Sequence, residues 1–278
     1  MIAFDFDYYK PETVHDTISL YEDLKNKGKK VMYYGGGTEF ITMSRMNNIY
    51  ADAILDIKGI PELNICKIKE EKLIIGAGVT LTKIAELDFF PLLSKTVKRI
   101  ADHTVQDKIT IGGNLVGSII YKEAALPLLV SNSDILVGNK DGIQRQKLME
   151  YWNKNLKDKE GDLIIQFIVD TRYLHLPYVH VKRTKNEKID YPLISIAALK
   201  DGDRINIGFS GLCDKAFRSL DIEDILNDNS ISDKERIHRI IQRVPYEIIE
   251  DIYGTCKYRK FMLSKMLEEI VDEFREDI

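Results

Sequence analysis

The sequence predicts an α+β protein with two lobes, followed by a C-terminal domain made of a three-stranded sheet and helices. Three observations predict this class. Short apolar runs bounded by Gly, Pro, Asn and Asp recur along the chain and are typical of strands. Capping residues at Thr13 and Ser232 mark the starts of helices. Near the C-terminus, apolar residues recur at every fourth position, which indicates one long helix.

The first lobe is predicted over residues 1–57, and its elements alternate between strand and helix. The helix carries a capping pattern, since Thr13 is followed three residues later by the acidic Asp16. Its elements are a short strand at 4–9, a helix from Thr13 to Gly28, and strands at 30–34 and 54–57. A glycine-rich turn follows the strand at 30–34.

The second lobe is predicted over residues 58–172 and is rich in strands. The two lobes together form the first of two predicted domains, 1–172. The second lobe contains strands at 65–69, 72–76, 135–137, 143–145 and 163–170, and helices at 80–87 and 91–101. A second glycine-rich turn lies at 110–114.

The C-terminal domain is predicted over residues 173–278. Three strands are expected at 178–183, 193–200 and 204–209, and the last two are joined by an Asp-Gly-Asp turn. A helix is expected from Ser232 to Val244, and a final helix carries an apolar stripe that we expect to be core or subunit contact. The stripe consists of Tyr258, Met262, Met266, Ile270 and Phe274, flanked by Leu263, Leu267 and Val271.

Composition excludes several classes of function. Of the 278 residues, 44% are hydrophobic and 30% charged, as in a soluble globular protein, and the net charge of −4 argues against a nucleic-acid binder. The three cysteines lack CxxC spacing, so we expect no metal or iron–sulfur site on this chain. The cysteine usage and the absence of a signal peptide or a long apolar run predict a cytoplasmic protein without a membrane segment.

The two glycine-rich turns are the main candidates for a ligand site. Gly35, Gly36 and Gly37 have no Cβ and tolerate positive φ, so successive N–H groups can point into one concavity that binds an anion. Thr38 adds a hydroxyl, and Thr110 precedes the second turn. The two turns are therefore predicted to grip one pyrophosphate. A tight turn without a ligand is the competing interpretation.

Other nucleotide-binding patterns do not fit. No Lys-Ser/Thr pair follows the glycines, which excludes the P-loop. The Rossmann fingerprint has Phe40 at its third glycine position, although Asp56 lies at the distance of its ribose-binding acid. The five histidines show no metal-ligand spacing, and no nucleophile motif is present. The sequence thus predicts a scaffold whose cofactor performs the chemistry.

Six motifs occur in the same order as in a known family. They are GGGTE at 35–39, IKGIPEL at 57–63, IGAGVTLT at 75–82, TIGGN at 110–114, DYPLISIAA at 190–198 and YRK at 258–260. In these residues the chain resembles the FAD-binding (medium) subunit of molybdenum hydroxylases, the group of xanthine dehydrogenase and carbon monoxide dehydrogenase. The resemblance covers almost the whole chain.

The resemblance implies a two-lobed FAD-binding domain of the vanillyl-alcohol-oxidase-like type, with FAD lying on the two glycine turns. Glu123 stands where the family has an Asp near the ribose, and His180, with Lys182 nearby, stands where the family has a Lys after an aromatic residue. The implied cofactor-binding residues are Tyr33, Tyr34, Gly35, Gly36, Gly37, Thr38, Glu39, Phe40, Thr110, Gly113, Asn114, Gly117, Ser118, Glu123, Tyr178, His180 and Lys182.

The function that the resemblance implies is electron transfer through FAD. A partner subunit with 2Fe-2S clusters would supply electrons, and NAD+ or another acceptor would take them. A separate subunit with the molybdenum cofactor would oxidise the substrate. The chain is therefore expected to belong to a hetero-oligomer resembling xanthine dehydrogenase. Two alternatives stay open: a non-catalytic assembly subunit of the same fold, suggested by Ile119, Ile120 and His180, and a stand-alone flavin oxidoreductase.

Overall fold

The structure, a computed structural model, describes residues 2–154, 159–185 and 190–276. The chain forms two compact units, each built from several stretches of sequence. The first unit comprises residues 1–87, 103–118 and 132–170, and the second comprises 88–102, 119–131 and 171–278. Strands and helices occur in both units, and most strand pairs are antiparallel. The predicted α+β class is therefore confirmed.

The first unit holds eight strands and six helices within the described residues. The strands are β1 (Asp7–Tyr9), β2 (Val31–Tyr34), β3 (Ala53–Asp56), β4 (Cys66–Lys69), β5 (Lys72–Gly76), β6 (Asp134–Asn139), β7 (Gly142–Lys147) and β8 (Leu163–Asp170). The helices are α1 (Val14–Asn26), α2 (Thr38–Arg45), α3 (Leu81–Leu87), α5 (His103–Gln106), α6 (Ile111–Val116) and α8 (Leu148–Asn153).

The second unit holds four strands and five helices within the described residues. The strands are β9 (Tyr178–Thr184), β10 (Pro192–Asp201), β11 (Arg204–Ser210) and β12 (Phe217–Arg218). The helices are α4 (Pro91–Val97), α7 (Ala125–Val130), α9 (Leu220–Leu226), α10 (Asp233–Gln242) and α11 (Cys256–Glu276).

A parallel three-stranded sheet in the order β1-β3-β2 begins the first unit. Central strand β3 is buried along its whole length, as parallel strands covered on both faces usually are. Helix α1 starts as predicted, because the Thr13 hydroxyl accepts the Asp16 N–H. Tyr21 and Leu24 of α1 pack on Leu55, which fixes this helix against the sheet that leads into the first glycine turn.

An antiparallel five-stranded sheet in the order β4-β5-β8-β6-β7 completes the first unit. Strands β5, β6 and β8 alternate buried and less buried residues, as expected for a sheet with one covered face. Leu163 and Ile165 of β8 pack with Leu63, the last residue of the IKGIPEL motif. The motif therefore packs against the sheet.

The second unit is organised around the antiparallel sheet β12-β11-β10-β9. Alternation along β11 places Ile207 and Phe209 in a core shared with α9, α10 and α11. Gly208, on the opposite face, leaves room for Leu126 and Val130 of α7. The three predicted strands are present, and β12 adds a short fourth that the sequence analysis does not predict.

Arg259 explains the YRK motif at the start of α11. Its side chain is 0% exposed and donates hydrogen bonds to the carbonyl oxygens of Leu193 and Gly211 and to the Asp251 carboxylate, the latter two at 2.8 and 2.7 Å. These partners come from β10, the residue after β11 and the loop before α11. The arginine therefore ties together three parts of the second unit.

Several expected elements differ in the structure. Helix α4 ends at Val97 rather than near residue 101, and helices α2, α6, α7 and α8 are not predicted as helices. Of the apolar stripe expected to be core or subunit contact, Met266, Ile270 and Phe274 are buried in the core, whereas Tyr258 is 48% exposed and does not belong to that core. Tyr258 lies in the first turn of α11, where the side chain faces outward.

The domain boundary at residue 172, and the lobes at 1–57 and 58–172, stay predictions. The compact units differ from that division in that 88–102 and 119–131 belong to the second unit. Over the described ranges, no helix combines the length and apolar character needed to cross a membrane. Within the same ranges, His, Cys, Asp and Glu side chains form no group of three or more suited to a metal ion.

Candidate functional site

The first glycine turn connects β2 to α2. Gly37 adopts φ 73°, and a Cβ there would lie 2.1 Å from the Tyr34 hydroxyl oxygen, so both conformation and space require glycine. Among the described residues, the N–H groups of Gly36 and Gly37 donate no hydrogen bond. Helix geometry leaves the N–H groups of the first α2 residues without intrahelical acceptors. The turn thus presents several unused donors beside a helix N-terminus, where the helix dipole favours negative charge.

The second glycine turn is held at the start of α6. Thr110 caps this helix by accepting the Gly113 N–H at 3.1 Å. Gly112 donates to the Ala77 carbonyl at 2.9 Å, and a Cβ on Gly112 would lie 2.8 Å from that same oxygen. A Cβ on Gly76 would lie 2.2 Å from the Leu63 carbonyl. The IKGIPEL, IGAGVTLT and TIGGN motifs are therefore packed backbone to backbone.

The two turns contact each other directly. A Cβ on Gly36 would lie 1.7 Å from the Lys108 carbonyl oxygen, and a Cβ on Gly35 would lie 3.0 Å from the Thr110 hydroxyl. The glycines therefore allow a close approach of one turn to the other. A ligand contacting both turns would lie across their joined surface.

Glu39 and Ser118 bind each other. The Glu39 carboxylate accepts both the Ser118 N–H at 2.5 Å and the Ser118 hydroxyl at 2.6 Å. Both residues are expected to contact a cofactor on the basis of the resemblance. The structure joins them by hydrogen bonds that link the start of α2 to the residues after α6.

The aromatic side chains around the first turn pack against other side chains of the first unit. The Tyr33 ring stacks on Tyr21 at 4.9 Å between centroids, and its hydroxyl donates to the Gly161 carbonyl at 2.9 Å; burial raises the pKa of this phenol. Phe40 is buried and meets the Tyr34 ring edge to face at 5.9 Å. The side chains of Tyr33 and Phe40 therefore support the turn from inside the unit.

Asp56 and Lys58 form an ion pair next to this turn that sequence analysis does not assign. Lys58 Nζ lies 2.8 Å from Asp56 Oδ2 and 4.2 Å from the centroid of the Tyr34 ring. Burial opposes ionisation of Asp56, but the hydrogen bonds from Lys58 and Tyr8 outweigh it and lower the pKa of the carboxyl. The IKG motif carries Lys58, yet nothing in its spacing indicates that the lysine returns to Tyr34.

Four of the expected residues lie in the second unit. Lys182 and Glu123 form a buried ion pair at 3.1 Å, with side chains 1% and 4% exposed, and Lys182 also donates to the Arg99 carbonyl at 2.7 Å. His180 lies 3.1 Å from the Ser195 hydroxyl through Nε2, and its Nδ1 has no partner among the described residues. Burial, with the nearby cations, lowers the pKa of His180 to about 3.

Tyr178 is half-buried at the start of β9, with Lys95 Nζ 5.4 Å from its ring centroid. Arg99, which accepts from Lys182, and Ser195, which lies beside His180, are not among the expected residues. Ser195 is part of the DYPLISIAA motif, which is the one signal for it in the sequence. No spacing pattern marks Arg99.

Fold and site define a protein with two glycine turns in direct contact, whose unused backbone donors suit an anion. Residues 4–169 match the family model described as the FAD binding domain in molybdopterin dehydrogenase, so the chain belongs to this family. The expected resemblance is confirmed, and the chain is a flavoprotein subunit of the molybdenum hydroxylase family.

Characterised relatives are similar over different shares of the chain. The chain is 24% identical to the glyceraldehyde dehydrogenase medium chain of Sulfolobus acidocaldarius, over 96% of this chain and 98% of the relative. It is 22% identical to the nicotinate dehydrogenase FAD-subunit of Eubacterium barkeri, over 75% and 71%. With the carbon monoxide dehydrogenase medium chain of Hydrogenophaga pseudoflava the identity is 28%, over 41% and 40%.

Solved structures share the fold. A carbon monoxide dehydrogenase chain from Hydrogenophaga pseudoflava superposes with a TM-score of 0.85 at 20% identity, covering 98% of both chains. Quinoline 2-oxidoreductase from Pseudomonas putida 86 gives a TM-score of 0.81 at 17% identity, covering 98% of this chain and 97% of that one. At this identity the similarity shows the fold alone.

Proposed function

We propose that this chain is the FAD-carrying electron-transfer subunit of a multi-subunit molybdenum hydroxylase. In this proposal FAD receives electrons from the 2Fe-2S clusters of one partner subunit and passes them to NAD+ or another acceptor. The substrate is oxidised on a third subunit that holds the molybdenum cofactor. The support comes from the family membership and from relatives named as medium chains or FAD-subunits.

The observation that carries the proposal is the donor set of the first glycine turn. The N–H groups of Gly36 and Gly37 and the Thr38 hydroxyl are unused among the described residues, and no Cβ at 35–37 covers them. The Thr110 turn lies directly against them. This set fits the diphosphate of FAD, since such donors are the usual partners of phosphate oxygens in proteins.

The residues of the chain bind and orient the cofactor. Gly36, Gly37 and Thr38 would donate to the diphosphate, while Gly113 and Asn114 at the start of α6 would hold its other side. Bound FAD supplies the redox chemistry, accepting electrons and releasing them to an acceptor. The chain needs no general acid or base for this task, which agrees with the lack of a nucleophile motif.

The residues of the second unit stay proposed cofactor-binding residues. Glu123 and Lys182 form a buried ion pair, Tyr178 and His180 lie on the same strand as Lys182, and the unpartnered His180 Nδ1 supports a role beyond packing. A buried polar atom without a partner is costly unless something binds it.

The substrate of the assembly is assigned to the molybdenum subunit and not to this chain. Relatives are named for glyceraldehyde, nicotinate and carbon monoxide, which differ widely in chemistry. A xanthine dehydrogenase-like assembly with NAD+ as acceptor is one specific form of the proposal, and the motifs of this chain do not select the substrate or the acceptor.

The test begins with the cofactor. The purified full chain is heated, and the released chromophore is identified by absorbance near ~450 nm and by chromatography. We expect FAD, and we expect substrate to reduce it only when the two partner subunits are present, with NADH as the product if NAD+ is the acceptor.

Matched variants localise the binding. Thr38→Ala is expected to weaken FAD binding by about threefold to tenfold, the usual range for one lost hydrogen bond. Thr42→Ala, on an exposed residue of the same helix, is expected to change nothing. A chain that neither contains nor takes up FAD would overturn the proposal and leave the assembly-subunit alternative. Reduction of FAD by substrate without partners would favour the stand-alone oxidoreductase.

A further inference from the structure

Glu39 is placed where a negative charge is unfavourable for binding a diphosphate. It is the second residue of α2, immediately after the turn whose N–H groups are proposed to bind phosphate. An unpaired carboxylate there would repel an anionic ligand. Its Oε1 atom instead accepts two hydrogen bonds, from the N–H and the hydroxyl of Ser118.

Gly117 allows this contact. A Cβ on Gly117 would lie 2.2 Å from Glu39 Oε2, closer than atoms can pack. The backbone of Gly117 has φ −52° and ψ 162°, an extended conformation open to every residue. A side chain at residue 117 would therefore displace the Glu39 carboxylate, whereas the backbone conformation there permits any residue.

We propose that Glu39 is a positioning residue that holds the two glycine turns in the arrangement that FAD requires. This proposal rests on the proposed function. Ser118, with both donors bound to Glu39, acts through the carboxylate and not as a phosphate ligand. Because Gly117 has no side chain, the Glu39 carboxylate has room to reach Ser118.

The physical basis is preorganisation. The two turns belong to segments about seventy residues apart, and fixing their spacing before the cofactor binds removes an ordering cost from the binding step. Hydrogen bonds to a charged acceptor are stronger than neutral ones, so two on one carboxylate form an effective link. The contacts of Lys108 and Thr110 with the first turn set how close the two turns lie. The hydrogen bonds of Glu39 join the start of α2 to the residues after α6.

The experiment is a double-mutant cycle on FAD affinity. Full-length wild type, Glu39→Ala, Ser118→Ala and the double variant are stripped of flavin, and FAD is titrated while flavin fluorescence is followed. We expect Glu39→Ala, which removes both hydrogen bonds, to weaken binding by about tenfold, the scale of a charge-assisted hydrogen bond. Ser118→Ala removes the hydroxyl bond and keeps the backbone N–H bond, so a smaller loss is expected. The double variant is expected to match Glu39→Ala, because that substitution alone already removes the whole interaction.

Gly117→Ala supplies an independent test. In the wild-type background the added methyl group displaces Glu39, and FAD binding is expected to weaken as in Glu39→Ala. In the Glu39→Ala background the same substitution is expected to have no further effect, because its clash partner is gone. Glu39→Gln, which keeps one acceptor oxygen without charge, is expected to restore part of the affinity.

Controls separate positioning from folding and from the proposed function. Glu86→Ala, an exposed residue of the first unit, is expected to leave affinity unchanged, and thermal unfolding of each flavin-free variant reports stability. A wild-type chain without FAD affinity overturns the proposed function. If the Glu39 and Ser118 variants bind FAD as tightly as wild type, the positioning role alone is overturned. The same holds if the changes in binding free energy of the two single variants add up strictly in the double variant. If Glu39→Ala does not fold, the FAD affinities of Glu39→Gln and Ser118→Ala are compared with that of wild type instead.

Discussion

Gly36 lies directly against the carbonyl oxygen of Lys108, and a Cβ on Gly36 would stand 1.7 Å from that atom. Backbone occupies this position, so no side-chain rotation relieves the clash. Glycine at 36 is therefore a condition for the two turns to touch. Removing that condition separates the turns without altering any polar side chain.

Gly36→Ala is expected to weaken FAD binding by at least about tenfold and to destabilise the fold by about 1–3 kcal/mol, the usual cost of overpacking. FAD titration and thermal unfolding measure the two effects. Gly59→Ala is the matched control, since a Cβ at Gly59 meets only the flexible end of Lys10 at 3.4 Å. Equal affinity of the Gly36 variant and wild type would contradict the joined-turn site.

Arg259→Met is expected to lower the free energy of unfolding by about 3–5 kcal/mol, because three acceptors, two of them buried, lose their donor. Those acceptors are the Leu193 and Gly211 carbonyls and the Asp251 carboxylate. Chemical denaturation measures the change. Lys260→Met, at the exposed next position, serves as control. A loss below about 1 kcal/mol would show that the arginine contributes little to the second unit.

Acid is expected to destabilise the protein through His180. Its pKa is lowered to about 3 by burial and neighbouring cations, whereas an unfolded histidine titrates near ~6.5. Between these values the unfolded chain binds the extra proton, so stability is present above pH ~6.5 and falls as the pH drops, at up to about 1.4 kcal/mol per pH unit.

Denaturation curves between pH 7 and ~4.5 test this expectation. His180→Gln is expected to flatten the dependence in that window, because glutamine does not titrate. His175→Gln, at an exposed position, is expected to leave the slope unchanged. A His180 variant with the wild-type slope would assign the acid sensitivity to other groups.

Lys182→Met is expected to cost about 3–5 kcal/mol of stability, since it leaves Glu123 buried without its partner. Burial raises the pKa of Glu123, and the Lys182 ammonium opposes that shift. Removing the lysine should therefore leave the carboxyl protonated. The double variant Lys182→Met/Glu123→Leu is expected to recover most of the loss, because no charge stays buried. A double variant as unstable as the single one would show that packing, and not charge, is lost.

Part of the fold and the site follow from local sequence. The Thr13 and Ser232 caps, the strands β9–β11 and the glycine triplet are visible because capping, alternation and missing Cβ atoms act over a few residues. Short helices α2 and α6 are not, since their stability comes from packing against distant segments such as Ala77. Tyr258 follows the helical period but lies outside the contact with the sheet.

The sequence by itself determined that this chain has two glycine-rich turns, and its ordered motifs indicated the family. Only the tertiary structure decided that the turns touch at Gly36 and Lys108, that Glu39 binds Ser118, and that Lys182 is buried against Glu123. The reason is physical: residue type and local spacing set which conformations and donors are available. The pairing of side chains far apart in sequence depends on how the whole chain packs.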